Sequence, residues 1–235
     1  MGKPPVFPWS TCLVPLTLSL LAFTLTVILL FPEKSMGNDS PGIVIDFRGS
    51  IINSIPDPWK LSVVEGNAHA EILPDGGEPA LYLRSVKSSF SIERQLFLNV
   101  REYPNLMWTW KALAIPPRGD LRKRSSNDQV LQILVAFDGS KVLSYVWNSN
   151  APEGTVTDES IGFPLFITVK VMVVKTGISD RGKWLTITRN LYEDYKSIFK
   201  EEPKEVRGIR IQTNSQHTHD LSEAQVKRIV FSRAL

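Results

Sequence analysis

Cysteine is nearly absent from this chain: among 235 residues there is one, Cys12, at the front of an apolar run. That excludes a disulfide scaffold, a thiolate-rich zinc site and Cys/His catalysis in the body of the protein. Histidine is scarce too, with only His69, His217 and His219. Charge of one sign is also lacking, since 27 Lys+Arg against 24 Asp+Glu leave a formal net charge of +3. Nucleic-acid binding needs a concentrated basic face, so no nucleic-acid partner is expected. No phosphate-cradling P-loop, Gly-x-Gly-x-x-Gly or Gly-x-Ser-x-Gly occurs, which removes the usual nucleotide sites and the nucleophile elbow. With 43% hydrophobic and 22% charged residues, the composition is that of a folded globular domain.

What is present begins with a long apolar segment. Residues 12–31 read CLVPLTLSLLAFTLTVILLF without a charge, and about 20 helical residues span a bilayer core. A cleaved signal peptide has a shorter apolar region and a small-x-small site. Here the nearest site is Ser35-Met36-Gly37, so the expectation is an uncleaved anchor, with a cleaved signal as the alternative. Lys3 precedes the span while Glu33 and Lys34 cancel after it, which puts residues 1–11 in the cytoplasm and the domain outside. Residues 32–42 form a short polar linker, and residues 43–235 a periplasmic domain of a bacterial inner-membrane protein.

In that domain, runs of β-branched and aromatic residues recur between turn signals. They lie at 43–47, 60–64, 80–86, 89–98, 106–113, 129–137, 141–148, 165–174, 183–190, 206–213 and 225–232. Phe90 and Ile92 alternate with Ser91 and Glu93, as Ile209 and Ile211 do with Arg210 and Gln212. Such alternation marks half-buried antiparallel strands. Asp75-Gly76-Gly77 and Asp138-Gly139 supply hairpin turns. One helix is expected at about Leu191 to Lys200, capped by Asn190 with Glu193 completing a capping box, and stopped by Pro203. Tyr192, Tyr195 and Phe199 share one of its faces. The fold class is therefore all-β, an antiparallel jelly-roll-like β-sandwich with one short helix, preceded by a single transmembrane helix.

An ordered set of aromatic signatures runs through the domain: Pro58-Trp59, Leu106 to Lys111, Asn127-Asp128, Val135-Ala136-Phe137, Tyr145 to Asn148, Gly182-Lys183-Trp184 and Asp194-Tyr195 with Phe199. A final strand follows Thr213 and Thr218. Over about residues 43 to 233 the chain resembles a bacterial exported family catalogued as domain of unknown function 3047. The resemblance implies a jelly-roll-like sandwich without an assigned activity. It also implies an acidic, Asp-rich loop before the last strand, where this chain instead has Thr213-Asn214-Ser215-Gln216-His217-Thr218-His219-Asp220.

Three groups of residues invite chemistry. His217-x-His219 with Asp220 has metal-ligand spacing if extended, because residues i and i+2 then face one side. Two ligands in a flexible neighbourhood bind weakly, so no metal or other cofactor is expected. Trp108 and Trp110 share one strand face, as do Tyr145 and Trp147; they are either core or a glycan-stacking groove, and the regular alternation favours core. Arg118, Arg122, Lys123 and Arg124 crowd an exposed loop able to meet lipid headgroups or an acidic partner. The acids Glu93, Glu102, Asp128 and Asp138 form no recognisable glycosidase pair. The leading expectation is thus a non-catalytic accessory subunit of a larger membrane complex of respiratory, oxidase or photosynthetic type, whose integral subunits and lipids are its partners. The alternative is a cell-envelope carbohydrate-binding module, marked by two or more exposed tryptophans in one groove.

Overall fold

The computed structural model describes residues 42–162 and 166–233. The expected anchor at 12–31 and nearly all of the flanking segments lie outside the described residues. Among the described residues, no helix is long and apolar enough to cross a membrane.

The elements run β1 (Gly42–Asp46), β2 (Lys60–Glu65), β3 (His69–Asp75), β4 (Glu78–Val86), β5 (Ser89–Leu98), β6 (Asn105–Ala114) and β7 (Gln129–Phe137). They continue with β8 (Lys141–Asn148), β9 (Val156–Asp158), β10 (Thr168–Thr176), β11 (Leu185–Asn190), α1 (Leu191–Phe199), β12 (Val206–Asn214) and β13 (Leu221–Ser232). One six-stranded sheet has the order β11-β6-β13-β4-β3, with β1 pairing β13 beside β4. The other sheet is seven-stranded, in the order β2-β5-β12-β7-β8-β10-β9. The all-β sandwich with one short helix is as expected from the sequence. One pairing corrects it: β10 lies parallel to β8, with Thr168 beside Lys141 and Thr176 beside Asn148. β10 begins beside the start of β8 rather than beside its end, so the two strands run the same way.

The alternation of the sequence places one side chain in two between the sheets. Phe90, Ile92, Ile133, Val135, Ile209 and Ile211 from the larger sheet meet Leu81, Leu83, Trp108, Trp110, Val226 and Ile229 from the smaller. Trp108 packs 5.2 Å from Tyr145 and Trp110 5.9 Å from Trp147, centroid to centroid. All four rings are 0% exposed. Fully burying a large side chain contributes about 1.5–3 kcal/mol, so these rings carry much of the sandwich's cohesion.

Asn190 caps α1, its side chain accepting from the Glu193 amide at 3.0 Å. The helix ends at Lys200 in a left-handed conformation (φ 59°), with its N–H donating to the Lys196 carbonyl. It therefore closes before Pro203 is reached, and the expected proline stop is not what ends it. Asp194 anchors the helix to the core by accepting from the Tyr145 hydroxyl at 2.8 Å and from Arg189 Nε at 2.8 Å.

Candidate functional site

Trp108, Trp110, Tyr145 and Trp147 are enclosed between the sheets and present no face to a glycan. The stacking role considered for them is corrected, because their strands are central and their side of each strand is the inner one. Trp59 is 7% exposed. Among the described residues, Trp184 alone of the tryptophans is more than marginally exposed.

Trp184 directly precedes Leu185, which pairs with Trp110 and points inward. Alternation therefore sends Trp184 to the outer face of the six-stranded sheet. There its indole Nε1 donates to Asp75 Oδ1 at 3.2 Å. The Lys111 and Lys227 ammonium groups stand 4.7 and 4.6 Å from its ring centroid. Lys111 also ion-pairs with Asp75. That hydrogen bond from Lys111 holds the Asp75 carboxyl below its usual value, against the opposing pull of burial. The strand register extends the surface in one row, Lys111, Gln225, Tyr82 and Glu71, across β6, β13, β4 and β3. Gln225 is 5% exposed, and its Oε1 has no hydrogen-bond partner. Tyr82 donates to Glu223 Oε1 at 3.1 Å, and His69 meets its ring edge-on at 5.7 Å. Burial first, and Glu223 second, push the Tyr82 phenol up to about 12. The surface thus combines two partly exposed rings with ammonium donors, carboxylate acceptors and an unpartnered amide oxygen. It was missed at the sequence level because nothing local tells which side of β11 is inward.

The opposite face of the molecule is the outer side of the seven-stranded sheet. Glu93 and Arg210 pair there, with Arg210 Nε 2.9 Å from Glu93 Oε2 and Arg210 only 2% exposed. Burial, outweighing Glu93, brings the Arg210 guanidinium down to about 10. In register around Glu93 stand Lys60, Arg210, Ser91 and Gln95, none of them acidic. Asp128 and Asp138 flank opposite ends of β7, and Asp138 is bound to Arg207 at 2.9 Å. The acids singled out in the sequence are therefore dispersed.

Asp128 is fully buried and gathers the loop between β12 and β13. It accepts from the Thr218 amide at 2.7 Å, the Thr218 hydroxyl at 2.6 Å, and the His217 amide and Nδ1 each at 3.2 Å. Burial pushes its carboxyl up, but these hydrogen bonds prevail and hold it below the usual range. The carboxylate in turn raises the His217 imidazole, against burial. His219 sits in a left-handed turn (φ 55°), and Asp220 faces Arg118 at 3.4 Å. The same-side argument for His217, His219 and Asp220 fails because they occupy a turn rather than a strand. His69 belongs to the other sheet, against Glu71 at 2.7 Å. Among the described residues, no three His, Cys, Asp or Glu side chains are grouped to hold a metal ion.

The basic loop is more structured than its sequence suggests. Arg122 forks onto Asp120 at 2.9 and 2.8 Å, Arg118 donates to the Thr218 carbonyl, and Leu121 is buried. Lys123 and Arg124 remain exposed, Arg124 opening a single 3₁₀ turn. A cleft of about 370 Å³ lies between β10 and β11, lined by Glu153, Met172, Val174, Ile187, Thr188 and Arg189.

Among solved structures, the chain is similar to the family 11 carbohydrate-binding module of Clostridium thermocellum in complex with a β-1,3-1,4-mixed-linked tetrasaccharide. The two are 12% identical, with 82% of this chain and 95% of that one covered and a TM-score of 0.43. It is also similar to the xyloglucanase domain of NopAA, a type three effector from Sinorhizobium fredii (10% identity, 83% and 99% covered, TM-score 0.46). A third likeness is to the family 11 xylanase of Neocallimastix patriciarum (9% identity, 80% and 95% covered, TM-score 0.38). These are likenesses of architecture alone. The accessory-subunit expectation is withdrawn, for none of these structures is a subunit of a membrane complex. No curated protein matches the chain. The sequence model of the family described as "Protein of unknown function (DUF3047)" matches residues 57–230, and the chain belongs to that family.

Proposed function

We propose that the domain is a non-catalytic carbohydrate-binding module of the cell envelope, held there by the apolar segment at 12–31, and that it binds glycan on the outer face of its six-stranded sheet. The observation that carries this is Trp184, a partly exposed indole fixed by Asp75, with the Lys111 and Lys227 ammonium groups over its ring. A pyranose presents an apolar face of C–H groups ringed by hydroxyls, so it needs an aromatic face with donors and acceptors at its margin. Lys111 and Lys227 supply donors, Asp75 supplies acceptors, and the Gln225 Oε1 is an acceptor still unpaired. Tyr82 gives a second ring on the same face. No step of hydrolysis is assigned, because around Glu93 the register places no second carboxylate.

The test is affinity electrophoresis of the full chain through gels containing soluble β-glucans, xylans and mannans, with pull-down on insoluble polysaccharides. Wild type is expected to be retarded by at least one of them. Trp184→Ala should lose that retardation while melting at nearly the wild-type temperature. Equal retardation of the variant, or none of the wild type on any polymer, overturns the reading.

A further inference from the structure

The edge strand β2 carries the most unusual surface outside the glycan platform. It ends the seven-stranded sheet, pairing only with β5 among the described strands, so one row of its backbone N–H and C=O groups has no strand partner. Strands so placed are ordinarily short, charged or covered. At the neighbouring edge of the other sheet that is the case. There the segment around Asn53 and Ser54 closes β3, with the Asn53 amide donating to the Ile72 carbonyl at 2.9 Å and the Ile72 amide to the Ser54 carbonyl at 3.0 Å. On β2, Leu61 is 42%, Val63 50% and Val64 36% exposed, and Ile51 and Ile52 in the preceding loop are 76% and 45% exposed.

We infer that β2 is a self-association strand, pairing antiparallel with the β2 of a second copy about a two-fold axis at Ser62. The sequence Lys60-Leu61-Ser62-Val63-Val64-Glu65 is self-complementary in that register. Leu61 and Val63 lie on the same face of the strand, opposite Ile92 and Phe90 of β5. The two-fold sets Leu61 of each copy against Val63 of the other, twice over. Lys60 lies on the reverse face, opposite Glu93. In a regular strand Glu65 would fall on the face of Leu61, but the register shifts between Val63 and Glu65, and Glu65 pairs with Ser89. The extra residue, Val64, therefore turns Glu65 onto the face of Lys60. Across the axis, Lys60 of one copy then opposes Glu65 of the other. The bulge that spoils indiscriminate pairing is thus what brings the two charges together. Continuing the sheet across the axis would satisfy the open backbone row and cover the apolar side chains in one step.

The experiment uses the full chain in mild detergent, with light scattering across a concentration series. A dimer is expected. Lys60→Glu should weaken it roughly tenfold, since two attractive cross-strand pairs become repulsive, and Lys60→Glu with Glu65→Lys should restore it. In a Cys12→Ser background, Ser62→Cys should cross-link to itself through a short bis-maleimide, whereas Val86→Cys on β4 should not. Both substituted charges are exposed, and an unchanged melting temperature would show that the fold is kept. A monomer at every concentration overturns the inference. So does a dimer indifferent to Lys60→Glu and without a Ser62→Cys cross-link.

Discussion

Asp128 remains ionised although fully buried because five donors converge on it, two of them backbone amides of a loop that has no regular structure of its own. The residue works as a clasp: it sits one position before β7 yet holds the turn between β12 and β13. Replacing it with Ala leaves the buried Thr218 amide without an acceptor, which should cost about 1–3 kcal/mol. Chemical denaturation of the two proteins measures the difference. Its dependence on pH follows from the two shifts. The Asp128 carboxyl is depressed in the folded state, so its contribution is present above its unfolded value and fades as pH falls through the lowered one. The His217 imidazole is raised, so its contribution is complete below its unfolded value and fades as pH rises through the higher one. The stability difference between wild type and Asp128→Ala should therefore be widest between about pH 4 and 6.5, the unfolded values of the two groups, and narrow on both sides. A difference that is flat from pH 3 to 9 would show that the charges contribute nothing. A second contrast lies in the core. The Trp147 indole donates to the Gly177 carbonyl at 3.0 Å, whereas the buried Trp110 indole N–H has no partner. Trp110→Phe should therefore destabilise less than Trp147→Phe, in paired melting experiments, since only the second breaks a hydrogen bond.

Among the elements, α1 was legible in the sequence almost residue for residue, because capping is local chemistry. Asn190 holds the first turn as expected, and Asn190→Ala should cost about 1 kcal/mol, read from the shift in urea midpoint. The strands were legible to the extent that they alternate. β7 and β8 match the runs at 129–137 and 141–148 residue for residue. β3 was missed, since His69-Ala70-Glu71-Ile72-Leu73-Pro74-Asp75 has mixed polarity and a proline suited to an edge. β9 has three residues and no pattern to read. The parallel partnership of β8 and β10 was invisible for a different reason. Alternation reports which face is buried and is silent on direction. The same limit hid the glycan platform. Trp184 is distinguishable in the sequence from Trp108 and Trp110 only once the inward side of β11 is known, and that is set by its pairing with β6.

At the scale of the whole molecule, stability is graded from the middle of each sheet outward. β13 is hydrogen-bonded along both edges, and β12 lies between β5 and β7. β2 and β9 are terminal and largely exposed. Hydrogen exchange should find the slowest amides in β6, β7, β12 and β13 and the fastest in β2 and β9. Retained protection in β9 with early loss in β13 would contradict this. The placing of β13 also has a meaning in time. β13, the last strand of the domain to be made, is the one on which β1, β4 and β6 all converge. While residues 221–232 are still inside the exit tunnel, the six-stranded sheet lacks the strand that joins β6 to β4 and β1. A nascent chain stalled before residue 221 should therefore generate no folding force on an arrest peptide, whereas one stalled well beyond residue 233 should. Hairpins such as β3–β4 and β7–β8 are complete early, but the six-stranded sheet closes only after residue 232 has emerged, so the two halves that β13 joins wait for it through most of the domain's synthesis.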